Sequence, residues 1–158
     1  MKYLFTCSIM LLFLGCAPKI SYESSQAYYI MIKNSKIAIA DTGFIKKNAN
    51  TINLQVFSAS APLLELTISE NICIGSWCQD WESFNEEFFG TSHYKTFINK
   101  LLDFQPIYNK KNMIKIANGF SQKIKTDKYD IEYRVKNDTL YFKDSKNRVL
   151  IKLKKLEK

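Results

Sequence analysis

A single histidine, His93, serves the whole 158-residue chain. Histidine is the side chain that titrates near neutral pH, so its scarcity removes most familiar routes to general acid–base catalysis. There is also no G-x-S-x-G, no phosphate-cradling P-loop and no H-E-x-x-H. Glu86 and Glu87 are adjacent, so on a helix they point about 100° apart rather than at one substrate. Asp80, Glu82 and Glu86 read as the acidic first turn of a helix. His93 itself reads as a surface or capping residue. No enzyme activity, catalytic residue, metal or cofactor is expected. The chain has no repeat of fixed period and no low-complexity tract. It also lacks an apolar run long enough to span a bilayer, which needs about 20 residues.

What is present starts with the first residues, "MKYLFTCSIMLLFLGC". Lys2 supplies a positive start, and a mostly apolar run follows from Tyr3 to Leu14. Its length is that of a signal-peptide core rather than a membrane span. It ends in Leu14-Gly15-Cys16, which resembles the lipobox of bacterial lipoproteins, with Phe13 where the family usually has leucine. The resemblance implies a leader over residues 1–15 and acylation of Cys16. It also implies a cell-envelope address, on the periplasmic side of the outer membrane, because Ala17 rather than aspartate follows the anchor. Two or three acyl chains hold a protein stably where one does not. Residues 16–26 ("CAPKISYESSQ") are small and polar and read as a tether. Residues 27–158 then form one domain.

The formal net charge is +8, from 23 Lys and Arg against 15 Asp and Glu. Such an excess is one mark of nucleic-acid binding, but an exported protein meets no genome. Two readings stand: attraction to anionic lipid or polysaccharide phosphates, or plain solubility from charge spread along the chain.

Cys73 and Cys78, in "ICIGSWCQDW", have C-x4-C spacing rather than the redox C-x-x-C. Outside the cytoplasm this pair reads as a disulfide that pins a turn. Free thiols are the alternative, and a zinc site lacks further ligands. Trp77 and Trp81 bracket Cys78. They form either an exposed partner-docking patch or aromatic packing over the disulfide.

Alternating runs mark strands: "AYYIMIK", "KIAIA", "GFIKK", "TINLQVFS", "LLELTIS", "NMIKIA", "FSQKIK", "YDIEYRVK", "TLYFK" and "RVLIKLKKL". Asn34-Ser35, Asn118-Gly119 and Asn137-Asp138 are turn candidates. Mid-chain, Ser83 with Glu86 has the form of a capping box, and Gly90 ends that helix. Tyr94, Phe97, Ile98, Leu101 and Leu102 have helical spacing, with Thr91 or Ser92 as cap and Pro106 as terminator. The expected fold is α+β: a strongly bent antiparallel sheet, a half-open β-barrel, with two short helices inserted mid-chain.

With the lipobox, "TINLQVFSASAPLLELTIS", the helical insert and "YDIEYRVKNDTLYFKDSKNRVLIKLKKL" in view, the chain resembles outer-membrane lipoprotein receptors of the LolB type and their LolA-type carrier. It is also similar to small uncharacterised bacterial lipoproteins. The first resemblance implies a helical lid over an apolar cavity that binds acyl chains, an envelope lipid or another lipoprotein. Leu64, Leu66, Phe97, Leu101 and Leu102 would then line the space between sheet and lid. The alternative is a filled core, and with it an interaction module of a cell-envelope complex that holds no ligand.

Overall fold

The computed structural model describes residues 21–157. The expected leader, residues 1–15, and Cys16 lie outside the described residues. Two arms of antiparallel strands meet at the middle of one sheet. The first arm is β1 (Ser24–Lys33), β2 (Ala38–Lys47), β3 (Ile52–Ser58), β4 (Ala61–Ile68), β5 (Ile72–Ile74) and β6 (Trp77–Gln79). Helices α1 (Trp81–Phe89) and α2 (Phe97–Leu102) follow. The second arm is β7 (Met113–Ile116), β8 (Gly119–Lys125), β9 (Asp130–Lys136), β10 (Thr139–Asp144) and β11 (Val149–Lys155).

The strand order is β6-β5-β4-β3-β2-β1-β11-β10-β9-β8-β7. The chain therefore walks outward by hairpins to one edge, crosses one face through the helices, enters at the far edge and walks back. Its first and last strands pair at the centre, with Ile30 opposite Leu153 and Ile32 opposite Ile151. Every strand finds its partners within the described residues, and those residues also supply the core. Together they form one continuous sheet over one core.

This order corrects the expected half-open barrel. Closure requires the terminal strands to find each other. Here β6 and β7 each have one neighbour, and the sheet stays open without curling into a barrel. Both edges are short, at three and four residues, which limits the unpaired backbone they offer.

Strand alternation divides the sheet into two faces. Ile30, Ile45, Leu54, Leu66, Ile131, Tyr133, Phe142 and Ile151 are buried on the face that carries the helices. The helices add Phe84, Phe88, Phe89, Phe97, Ile98, Leu101 and Leu102, each at most 4% exposed. Phe89 meets Phe97 edge-on at 5.1 Å, and both meet Phe142 at 6.0 and 5.8 Å. Such edge contacts add about 1 kcal/mol each beyond their area.

The helix ends differ in detail from the sequence reading. α1 begins a turn earlier than a Ser83 cap would place it. The Asp80 carboxylate accepts from the amides of Glu82 and Ser83, both at 2.9 Å, and Ser83 adds its hydroxyl at 3.0 Å. An aspartate satisfying two free amides outcompetes a capping box. Gly90 ends α1 as expected, at φ +71°, its amide donating to the Glu86 carbonyl. α2 starts at Phe97 behind Thr96, not behind Thr91 or Ser92, and the cap makes no side-chain bond. It stops before Pro106 through Phe104, at φ +57°. Phe104 donates to Leu101 and Gln105 to Lys100, both at 2.9 Å, the paired closure of a Schellman motif. β1 begins at Ser24, inside the expected tether. The β1–β2 loop spans four residues because Asn34 Oδ1 accepts from Lys36 and Ile37. The β7–β8 turn is Ala117-Asn118, one residue earlier than expected.

Candidate functional site

The space expected to hold an acyl chain is filled. Leu64, Leu66, Phe97, Leu101 and Leu102 do meet between sheet and helices, and all belong to the core cluster. A space wide enough for an acyl chain would leave its lining open to a water-sized sphere. These five side chains are at most 8% exposed, and Phe97 and Leu101 are fully buried.

The cysteine segment is an edge hairpin. Cys73 and Cys78 are register partners in β5 and β6, their Cα atoms 3.9 Å apart, and they are disulfide-bonded. Ile74 and Trp77 form the last pair before the Gly75-Ser76 turn. The Gly75 amide also donates to the Glu65 carbonyl of β4 at 2.8 Å, which ties the turn to the sheet. Sequence reasoning found the disulfide but read this stretch as a loop. Three-residue strands carry too little alternation to register as β-structure.

The two tryptophans separate. Trp77 is 71% exposed, the most open of the large apolar side chains described. Trp81, the first residue of α1, is half-buried against the core. It lines a hollow of about 90 Å³ with Ile68, Ile72 and Asn99. The two differ in burial, and Trp77 does not lie over the disulfide. Trp77 and Cys78 are successive strand residues and face opposite ways.

The chemically most distinctive cluster surrounds His93, which is 5% exposed rather than on the surface. Its ring lies flat on Phe97, centroids 3.9 Å apart. Nδ1 is 2.5 Å from the Tyr108 hydroxyl. Nε2 is buried and has no partner among the described residues. Burial depresses the imidazole pKa to about 4, against an opposing pull from Asp144. Burial, then the neighbouring Tyr129 hydroxyl, pushes the Tyr108 phenol up. Both groups are therefore neutral at pH 7. Asp144 is engaged elsewhere: its Oδ1 accepts from the amides of Asp130, Lys146 and Asn147. No relay reaches His93 from it, and the buried imidazole presents no open nitrogen to a substrate.

Beside this cluster the backbone takes an unusual path. Tyr108, Asn109 and Lys110 have φ of +47°, +52° and +65°. Three successive non-glycine residues in the left-handed region are costly, at about 1 kcal/mol or more each. Buried Gln122 of β8 holds the turn: Nε2 donates to the carbonyls of Ile107 (3.0 Å) and Lys111 (2.8 Å), and Oε1 accepts from the Ile107 amide (2.9 Å). The turn borders an open groove of about 650 Å³ lined by Tyr94, Lys100, Pro106, Tyr108 and Lys111. Gln122 and this turn were missed. The visible signal was a polar residue on the apolar side of the "FSQKIK" alternation.

The fold and the stapled edge define a class: an open antiparallel sheet with two helices on one face and a disulfide-bonded edge hairpin. Beyond that class, no family model and no curated protein matches the chain.

Proposed function

We propose that this is an exported lipoprotein, tethered through Cys16 on the periplasmic side of the outer membrane. Its domain is a binding module of the cell envelope, with a filled core and no enzymatic role. The observation that carries the module reading is Trp77: a large apolar side chain, 71% exposed, on an open sheet edge that a disulfide holds rigid. The three-residue edge offers only a few backbone donors and acceptors to a partner, so the aromatic anchor beside it supplies most of the binding energy. The disulfide accords with an oxidising compartment. The buried state of Leu64, Leu66, Phe97, Leu101 and Leu102 favours a module over an acyl-chain carrier.

The test places a photo-crosslinking amino acid at position 77 of the full chain in cells, with position 63 as a control. Leu63 is also exposed, at 50%. One discrete protein adduct from position 77, lost in Cys73→Ser/Cys78→Ser, is expected. No adduct, or the same adducts from both positions, would sink the edge as a docking site. Native mass spectrometry finding a stoichiometric lipid inside the unlipidated domain would restore the carrier.

A further inference from the structure

We propose that the solvent face of β8–β11 docks on the phosphate-bearing headgroups of an anionic lipid bilayer. The inference rests on the envelope reading above and adds a second surface, separate from the Trp77 edge.

The register assembles the surface. Arg134, Tyr141 and Lys152 stand in one row across β9, β10 and β11. The next row is Lys136, Thr139 and Lys154. On the other side Glu132 stands between Lys123 and Lys143. All six basic side chains are exposed, and none makes an ion pair among the described residues. Of the two carboxylates on this face, Asp130 is already 3.7 Å from Lys125.

The same face of the first arm is built differently. There Glu65 accepts from Asn53 and Gln55, and Gln55 accepts from Lys46. Those side chains bond to one another, while the six basic side chains on β8–β11 have no carboxylate partner among the described residues. Like charges two strands apart are about 10 Å from each other, close to the Debye length of about 8 Å at physiological salt. Their fields add, and the array is unfavourable by itself. An external anion relieves it.

Three observations select a bilayer among anionic partners. First, the surface is open: the hollow of about 550 Å³ over Arg134, Lys136, Tyr141 and Lys152 is shallow, and its cations stand on long exposed stems. It suits many phosphates in a plane better than one enclosed ligand. Second, half-buried Leu150, Met31 and Tyr29 border the array on β11 and β1, with Met31 opposite Lys152 and Tyr29 opposite Lys154. Apolar and amphipathic groups beside lysines fit a headgroup boundary. A single-stranded nucleic acid would instead need free aromatic faces for its bases. The ring of the array, Tyr141, is half-buried with the Arg134 guanidinium 5.7 Å from its centre. Third, the tether enters at Ser24 of β1, the strand beside β11, and Lys154 and Lys136 lie toward that end. Glu23 and Ser21 are held at the end of β2, by the Lys47 carbonyl and the Asn48 side chain, so the five residues from Cys16 to Ser21 reach at most about 18 Å from there. A lipid on Cys16 would hold this face close to a membrane.

The experiment uses residues 21–158 without the lipid, sedimented with vesicles of phosphatidylcholine alone or with added phosphatidylglycerol. Salt-sensitive binding to the anionic vesicles only is expected. Each basic residue near such a surface contributes about fivefold. The variant Arg134→Gln/Lys136→Gln/Lys152→Gln/Lys154→Gln should therefore lose on the order of 100-fold or more. The control Lys95→Gln/Lys110→Gln/Lys111→Gln/Lys128→Gln removes equal charge elsewhere and should bind almost as wild type. Equal loss in both variants means net charge alone and overturns the proposal. So does equal binding to neutral vesicles, or the absence of salt dependence in the wild type. Tighter binding to a single-stranded oligonucleotide than to vesicles, lost in Tyr141→Ala, overturns the choice of partner. None of these outcomes depends on the Cys16 anchor or on the Trp77 adduct, so either reading can fail alone.

Discussion

The side chain of Gln122, buried on β8, closes on the main chain of Ile107 with one accepted and one donated hydrogen bond, at 2.9 and 3.0 Å. Its second amide hydrogen goes to the Lys111 carbonyl at 2.8 Å. One glutamine thus holds both ends of the left-handed turn that brings Tyr108 over His93.

Gln122→Leu keeps the volume but leaves the fully buried Ile107 amide without its acceptor and removes a donor from the Ile107 and Lys111 carbonyls, the first of which keeps the Lys110 amide. Unsatisfied buried groups cost roughly 1–3 kcal/mol each before relaxation. A loss of about 3 kcal/mol in a urea melt is expected. Hydrogen exchange should rise first at the Lys110 and Lys111 amides, which bond within the turn. A neutral substitution would mean that the turn holds itself.

His93 makes stability depend on pH. Its folded pKa lies near 4, below the ordinary 6.5. Between these values the unfolded chain binds a proton that the fold excludes, so stability rises with pH through that window. Above about pH 6.5 its contribution is flat. The span is worth about 3 kcal/mol at most. Melts of the wild type and His93→Gln at a series of pH values check this: the wild type should fall more steeply between pH 7 and pH 4. Parallel curves would mean that the imidazole is reached by water.

Gly43 of β2 has no room for a side chain. A Cβ there would meet the Gln55 carbonyl oxygen at 2.0 Å and Ile30 Cδ1 at 2.8 Å. The first contact is main chain in the neighbouring strand, so it cannot swing aside. Gly43→Ala should cost about 3 kcal/mol by overpacking, seen as a lower melting temperature. An unchanged melt would show that β2 and β3 part easily at this point.

Opening the Cys73–Cys78 bond should act locally. The ring it closes is short, and loop closure is worth about 2 kcal/mol. In Cys73→Ala/Cys78→Ala, exchange should accelerate across β5 and β6 while Phe142 and Ile151 keep their protection. Two thiols that label readily in the unreduced exported protein would contradict the bond.

Much of the strand structure was legible because alternation is a local signal. "YDIEYRVK" contains β9, and "TINLQVFS" contains β3, with Ile52, Leu54 and Val56 inward as read. Asn137 and Asp138 both take positive φ in their hairpin turn, at +46° and +56°. The helical stripe of Phe97, Ile98, Leu101 and Leu102 is buried as its spacing implied. The α1 start was misplaced because a serine–glutamate pair and an aspartate three residues earlier are both capping signals. Only the folded geometry shows which carboxylate reaches the free amides.

The sequence by itself determined the apolar face of the alternating strands, the neighbourhood of three hairpin turns, and that Cys73 and Cys78 are spaced to pair. These follow from periodicity, turn chemistry and short-range spacing, which need no partner far along the chain. The tertiary structure decided the rest. It left β6 and β7 unpaired, so the sheet stays open, because β1 and β11 pair at the centre and the arms grow outward from them. It sent Trp77 to solvent and Trp81 to the core, and buried His93 against Phe97. It also gathered lysines spread along the last third of the chain into rows on one face. Strand order and register are long-range pairings, and no local pattern carries them.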